Sequence, residues 1–371
     1  MKILVCFGTR PEAIKMASLV HKLKESSKFE VKVFVTAQHR EMLDQVLDFF
    51  ELIPDYDLDI MQENQSLNEL SGRIFLKIDE VLEDFQPDIV LVHGDTTTST
   101  VCAWAAFHRN IKVAHVEAGL RTFNKLLPFP EELNRQLTSK ISDYHFAPTI
   151  QSQQNLLDEN IARENILVTG NTVIDSLFWT VEKLENGFLN PKITELKSLI
   201  NFNKKIILVT GHRRENFGEG FMNICKALKT LADNNDIEIV YPVHLNPKVQ
   251  KPVMEMLSGI SNIHLISPLD YPSFVWLMTK SYLIITDSGG IQEEAPSLGK
   301  PVLVLREITE RPEALKEGTV KLVGTNVEEI VKTTENLLNN LEDYEKMSRA
   351  HNPYGDGDAC VKIISFLEKL K

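Results

Sequence analysis

The sequence has little to tie it down covalently. Only four cysteines occur in 371 residues, and Cys6, Cys102, Cys225 and Cys360 stand far apart with no C-x-x-C pair. So few and so scattered thiols read as those of a reduced, cytoplasmic protein. They supply neither a disulfide framework nor a structural zinc motif. No apolar run approaches the ~18 residues of a membrane span. The first one, Ile3–Phe7, meets Gly8 and Pro11 at once and is too short for a signal-peptide core. Positive charge is also in deficit: 40 Lys and Arg against 52 Asp and Glu give a formal net charge of −12. That balance argues against a broad nucleic-acid surface, while leaving room for one small anion pocket. The G-x-G-x-x-G fingerprint and the P-loop lysine are missing, so neither a nicotinamide cofactor nor ATP hydrolysis is indicated.

What is present is alternation. Short β-branched runs at Ile3–Phe7, Val31–Thr36, Ile89–Val92, Val113–Val116, Tyr144–Ala147 and Ile166–Val168 are separated by amphipathic stretches such as Glu12–Glu25, Arg40–Phe50, Leu67–Asp84 and Thr98–Arg109. The pattern restarts with Ile206–Val209, Ile237–Tyr241, Ile263–Ile266, Tyr282–Thr286 and Pro301–Val304, again interleaved with helical runs. Continuous apolar strands between helices predict parallel sheets covered on both faces. The fold class expected is α/β, with two Rossmann-like, doubly wound domains facing a cleft: a first over 1–170 and a second over 171–356. The segment after Asp356 has the pattern of a helix that suits either domain. Such folds bind ligands outside the carboxyl ends of their strands.

Five motifs stand at strand ends. Gly8-Thr9-Arg10-Pro11-Glu12 follows the first strand, and Thr9, Pro11 and Glu12 read first as a well-made helix start. Arg10 and Lys15 oppose the helix dipole, which suits a bound anion. In His93-Gly94-Asp95-Thr96-Thr97-Thr98, Asp95 taken alone reads as the N-cap of the next helix. In His115-Val116-Glu117-Ala118-Gly119-Leu120-Arg121, Glu117 ends an apolar strand, and an ion pair with Arg121 is its plainest use. Pro130-Glu131-Glu132-Leu133-Asn134-Arg135 opens a helix, where acidic residues are favoured. Together, however, Asp95, Glu117 and Glu131 are expected at one cleft. Clustered carboxylates raise one another's pKa and serve proton transfer.

In the second half, Thr210-Gly211-His212-Arg213-Arg214-Glu215-Asn216 puts an imidazole and cations at a strand end, where His212 suits proton donation to a departing phosphate. Thr286-Asp287-Ser288-Gly289-Gly290-Ile291-Gln292-Glu293-Glu294 joins a strand to a helix whose first N–H groups suit a phosphate. Glu294, one turn in, suits the two ribose hydroxyls, and Arg311 in Glu310-Arg311-Pro312-Glu313 adds a cation. His244 and the pair Gln38-His39 carry less weight, since a lone histidine is usually structural.

As a set, these segments resemble the non-hydrolysing bacterial UDP-N-acetylglucosamine 2-epimerases. The likeness runs from F-G-T-R-P-E-A-I-K-M at Phe7–Met16 to H-N-P-Y-G-D-G at His351–Gly357, and includes T-A-Q-H-R, H-G-D-T-T-T, E-A-G-L-R, G-H-R-R-E-N and T-D-S-G-G-I-Q-E-E-A-P. It implies the glycosyltransferase-B architecture, with the last helix, 357–371, returning to the first domain. It implies reversible inversion at sugar C2 to UDP-N-acetylmannosamine, for surface polysaccharide synthesis, without cofactor or metal. By analogy, Asp95, Glu117 and Glu131 move protons at C2, and His212 assists departure and return of UDP. Arg10, Lys15 and Arg213 surround the diphosphate. Ser288, Gly289 and Gly290 bind it through backbone, Glu294 holds the ribose, and Phe274 lines the uracil pocket. The likeness also implies a homodimer. Some family members take a second, activating UDP-N-acetylglucosamine near Gln38, His39 and Glu131. No nucleic acid or membrane partner is expected.

The chemistry suits the residues. The C2 hydrogen has no neighbouring carbonyl, so simple deprotonation is implausible. Elimination of UDP from C1 coupled to loss of the C2 proton leaves a 2-acetamidoglucal, and re-addition with protonation from the other face inverts C2. A UDP-sugar transferase would not need three carboxylates at C2, and a sensor would not need them together with His212. A hydrolysing epimerase differs only in whether water captures the intermediate.

Overall fold

The computed structural model describes residues 1–36, 40–59, 65–309 and 311–370. The chain divides into two compact units, one of residues 1–179 with 354–371 and the other of 180–353.

The first unit holds seven strands: β1 Lys2–Phe7, β2 Glu30–Val35, β3 Tyr56–Asp57, β4 Ile89–His93, β5 Lys112–Val116, β6 Tyr144–Ala147 and β7 Ile166–Val168, in the order β3-β2-β1-β4-β5-β6-β7. All pairings are parallel. The middle strands β1 and β4 are buried almost end to end, as their unbroken apolar runs require when helices cover both faces. One side of the sheet packs Leu4, Cys6, Val90 and Val92 against Ile74, Ile78 and Val101 from the flanking helices.

The second unit repeats the plan with β8 Lys205–Thr210, β9 Ile237–Pro242, β10 Ile263–Ile266, β11 Leu283–Thr286, β12 Val302–Val304 and β13 Val320–Leu322, ordered β10-β9-β8-β11-β12-β13. These pairings are parallel too. Its core gathers Ile207, Val209, Ile239, Tyr241 and Ile285 with Phe221, Leu228 and Val253 of the helices. Strand order reverses between β1 and β4 in one sheet and between β8 and β11 in the other. A reversal of this kind splays the following loops to opposite faces and opens a crevice at the carboxyl edge.

The last helix, Ala359–Leu367, belongs to the first unit. Its first N–H groups, of Ala359 and Cys360, donate to Asp175 at 3.2 and 3.0 Å. The turn before it approaches so closely that a Cβ on Gly357, at φ +83°, would stand 2.4 Å from the Phe178 ring. All four cysteines are buried and free. Among the described residues, no helix is long and apolar enough to cross a membrane.

Candidate active site

The first crevice is built by the turns after β1 and β4. Gly8 has no room for a side chain: a Cβ would lie 2.1 Å from Thr36 Oγ1 and 2.5 Å from Thr98 Oγ1. Glu12 is buried beside it and accepts from the Gly8 and Thr9 N–H groups at 3.1 and 2.8 Å, and from the Thr96 and Ser99 hydroxyls at 2.7 and 3.0 Å. This carboxylate ties the two turns together, so the helix-start reading of Glu12 stands.

Asp95 is not the helix cap. Thr96 is, accepting from Ser99 N–H at 3.1 Å, because its side chain lies one residue nearer the helix start Thr97. Asp95 turns instead to the guanidinium of Arg135, whose Nη2 donates to Oδ2 at 2.6 Å, while Asn134 Nδ2 donates to the Asp95 carbonyl at 3.0 Å. Glu117 does not pair with Arg121 either, since Arg121 forks onto Glu159 at 2.6 and 2.9 Å and donates to Ser139. Glu117 accepts from the Lys15 ammonium and from Asn171 Nδ2 at 2.8 Å, with His93 Nε2 at 3.6 Å. Its backbone sits at φ +60°, a left-handed conformation that costs a residue other than glycine about 1 kcal/mol or more. Strain of this kind, in a charged side chain closing an apolar strand, marks a position selected for where its carboxylate ends up.

The two carboxylates part company in their affinity for a proton. Burial pushes the Asp95 carboxyl up; Arg135 and Lys15 oppose this, and the negative charges of Glu117 and Glu131 add to it. Burial acts on Glu117 in the same sense, but Lys15 and His93 outweigh it and hold this carboxyl well below the usual range. Mutual repulsion was expected to raise the whole cluster. It adds to the rise of Asp95 but does not prevail at Glu117, which has an ammonium in direct contact.

Glu131 opens the helix Glu131–Ile141, and its Oε2 is buried with no hydrogen-bond partner among the described residues. Its neighbour Glu132 is wholly buried and structural. It accepts from Thr122 and Phe123 N–H at 2.9 and 3.1 Å and so holds the loop that leads away from Glu117. Arg10 is the first residue of the helix Arg10–Glu25. Sequence reasoning missed Arg135 and Asn171. Arg135 stands four residues after Glu131, on the same helix face, which was a usable signal. Asn171 gave none.

The second crevice lies at the carboxyl ends of β8 and β11. His212 and Arg213 follow β8, and both their backbone N–H groups donate to Asp287 Oδ2 at 2.9 Å, joined by Asn216 Nδ2 at 3.4 Å. Asp287 follows β11 and is fully buried, so it fixes one turn against the other. The half-exposed His212 ring stacks on His244, with centroids 5.6 Å apart, which gives that otherwise lone histidine a place. Burial lowers the His212 pKa, Asp287 works against that, and Arg213 and His244 add to the lowering.

Ser288 precedes the helix Gly289–Ser297. A Cβ on Gly289 would meet the Arg311 guanidinium carbon at 3.0 Å, so the missing side chain lets that cation lie against the helix start. Arg311 Nε is held by Glu293 Oε1 at 2.8 Å. Glu294 is buried, not a solvated helix residue, and accepts from the Tyr271 hydroxyl at 2.8 Å. Phe274 stands three residues beyond Tyr271 in the helix Tyr271–Lys280. Gln38, His39 and Glu310 lie outside the described residues. Among the described residues, no group of three His, Cys, Asp or Glu is placed to hold a metal ion.

Two doubly wound parallel sheets with polar crevices at their reversal points define the two-domain, glycosyltransferase-B-like class of α/β folds. A family model described as UDP-N-acetylglucosamine 2-epimerase matches residues 21–368, and the chain belongs to that family. A Campylobacter jejuni protein of that name is 59% identical over 376 aligned positions, covering 100% of this chain and 98% of its own. A Salmonella typhimurium protein of the same name is 57% identical over 373, covering 100% and 99%. The crystal structure of UDP-GlcNAc 2-epimerase from Neisseria meningitidis bound to UDP-GlcNAc superposes with a TM-score of 0.91 at 53% identity, covering both chains fully.

Proposed function

We propose that this protein interconverts UDP-N-acetylglucosamine and UDP-N-acetylmannosamine by elimination and re-addition of UDP. The observation that carries the reading is the geometry at two neighbouring strand ends. Glu117 is held by the Lys15 ammonium and Asn171, and Asp95 by Arg135, an arrangement in which Glu117 is pushed toward its charged form and burial pushes Asp95 toward its proton. A C2 epimerisation of this kind needs one group that takes a proton from one face and another that returns a proton to the opposite face. Two carboxylates driven apart in proton affinity suit those roles. Glu117, kept ionised by Lys15, removes the C2 proton in one direction as the C1–O bond breaks and UDP leaves. Asp95, whose surroundings favour the proton, delivers one to the other face as UDP re-adds at C1. In the reverse direction the roles exchange, and the free carboxylate oxygen of Glu131 completes the acidic group.

The second unit supplies the nucleotide site. Ser288, Gly289 and Gly290 offer backbone N–H groups at a helix start, where a diphosphate gains from the dipole and the oriented donors. Arg213 and Arg311 neutralise it, Arg10 and Lys15 add positive charge at the first helix, and His212 stabilises UDP as it departs. Glu294 accepts from the ribose hydroxyls, and Phe274 gives the base an aromatic contact. Preorganised charge aimed at the leaving diphosphate is the main lever on the rate, and acid–base groups contribute about 10²–10⁴-fold more. A homodimer is part of the same reading, supported by the exposed apolar side chains Leu76, Trp104 and Phe107 on the first unit. Cytoplasmic residence fits the four free thiols. Activation by a second UDP-N-acetylglucosamine near Glu131 would appear as a sigmoidal dependence of rate on substrate. The product serves surface polysaccharide synthesis.

Proton NMR with UDP-N-acetylglucosamine in D₂O tests this directly. The expected result is an equilibrium with UDP-N-acetylmannosamine, deuterium at C2 and little free sugar. Accumulation of free N-acetylmannosamine with UDP would assign hydrolysis instead, and no change in either sugar would overturn epimerisation.

A further inference from the structure

The second crevice holds a buried group that the proposed mechanism does not use. Asp287 is fully buried, and its two carboxylate oxygens do different things. Oδ2 accepts from the His212 and Arg213 N–H groups and from Asn216 Nδ2. Among the described residues Oδ1 has no hydrogen-bond partner, and His212 Nδ1 stands 3.4 Å from it. One side chain therefore grips the backbone of residue 212 and faces the inner nitrogen of the same residue's ring. His244 covers one face of that ring at a 21° interplanar angle, which limits its rotation.

From this geometry we infer that Asp287 is a positioning residue for His212: it accepts a hydrogen bond from Nδ1–H and leaves Nε2 directed at the departing diphosphate. The physical argument has two parts. A buried carboxylate oxygen without a donor is costly, at about 1–3 kcal/mol or more, and a short rotation of the imidazole satisfies it. Once Nδ1–H is engaged, the tautomer is fixed, and the imidazolium that stabilises departing UDP gains a fixed negative neighbour. The same logic holds wherever an acid orients a catalytic histidine. Hydrogen bonds of this type are often long before substrate tightens them, so a separation of 3.4 Å is compatible with the pairing.

This inference rests on the proposed role of His212, and the experiment separates the two. Asp287→Asn keeps a carbonyl oxygen for the three N–H donors but presents an amide N–H to His212 Nδ1, forcing the wrong tautomer. The expected result is a fall in kcat of about 10²-fold, with KM and UDP affinity within about threefold of the parent. In the His212→Gln background the same change should lower kcat by less than about threefold, because the ring it orients is gone. Nitrogen NMR of the parent should show the His212 proton on Nδ1, and that of Asp287→Asn should show it on Nε2. If Asp287→Asn lowers kcat equally in both backgrounds, Asp287 acts only through the backbone turn and the inference is overturned. If His212→Gln turns over at the parental rate, the role given to His212 fails and the inference falls with it.

Discussion

Arg135 Nη2 donates to Asp95 Oδ2 at 2.6 Å, across 40 residues of sequence, and it does so from the helix that Glu131 opens. One short helix thus brings a partner for the first carboxylate and adds a third acid to the group. Glu117 takes its cation from a different helix, through Lys15. The ammonium in contact with Glu117 keeps that carboxylate charged, while burial carries Asp95 toward its proton against the pull of Arg135.

Asp95→Asn and Glu117→Gln should each lower kcat by at least about 10²-fold, the scale of a lost acid–base group. Because the backbone cradle, the ribose contact and two of the cations in the proposed nucleotide site belong to the second unit, titration calorimetry should find UDP affinity unchanged within about threefold. Parental turnover in both variants would remove them from the mechanism.

Arg135→Gln should push the Asp95 carboxyl further up. Of the charges that act on Asp95, Arg135 and Lys15 lower its pKa while Glu117 and Glu131 raise it, so losing Arg135 leaves burial less opposed. The limb of the kcat–pH profile that belongs to Asp95 should move to higher pH, with Arg135→Lys restoring part of the shift. An unmoved profile would show that the pair does not tune Asp95.

Gly289→Ala should raise KM several-fold with the fold intact. The new methyl would crowd a guanidinium already fixed to Glu293. Relief of about 1–2 kcal/mol of overpacking requires Arg311 to leave the helix start. Unaltered KM and UDP affinity would place Arg311 outside the nucleotide site.

Two buried histidines on adjacent strands predict an acid-side loss of stability. Burial pushes His115 from 6.5 down to about 3, with His145 adding to it, and pushes His145 itself down to about 4. Between those values and 6.5 the unfolded chain binds protons that the folded chain refuses, so stability is full above 6.5 and falls as pH drops through this window. His145→Gln should make the decline of Tm between about pH 6.5 and 4 shallower than in the parent, whatever its effect on Tm at neutral pH. An identical slope would mean that His145 is protonated in the folded protein.

The strands were legible where apolar runs were unbroken: Tyr144–Ala147, Ile166–Val168 and Ile263–Ile266 form over those same residues. The edge strands Tyr56–Asp57 and Val320–Leu322 were not, because two or three residues against a single neighbour carry no periodic signal. The crevice motifs were legible because polar residues after buried strands have few other uses. Their partnerships were not. Asp95 with Arg135, Glu117 with Asn171 and His212 with Asp287 join positions 40, 54 and 75 apart, and only the strand order brings them together. The local uses that sequence offered for these residues taken singly, a cap for Asp95 and Arg121 for Glu117, lost to these distant partners.

Departure and return of UDP at C1 can be tested with substrate carrying heavy oxygen in the bridge between C1 and the β-phosphorus. Once the C1–O bond breaks, the β-phosphate turns and its oxygens become equivalent. The expected result is label spread from the bridge into the non-bridging β-phosphate oxygens of both sugar nucleotides, at a rate no slower than inversion at C2. Label that stays wholly in the bridge while C2 inverts would contradict elimination.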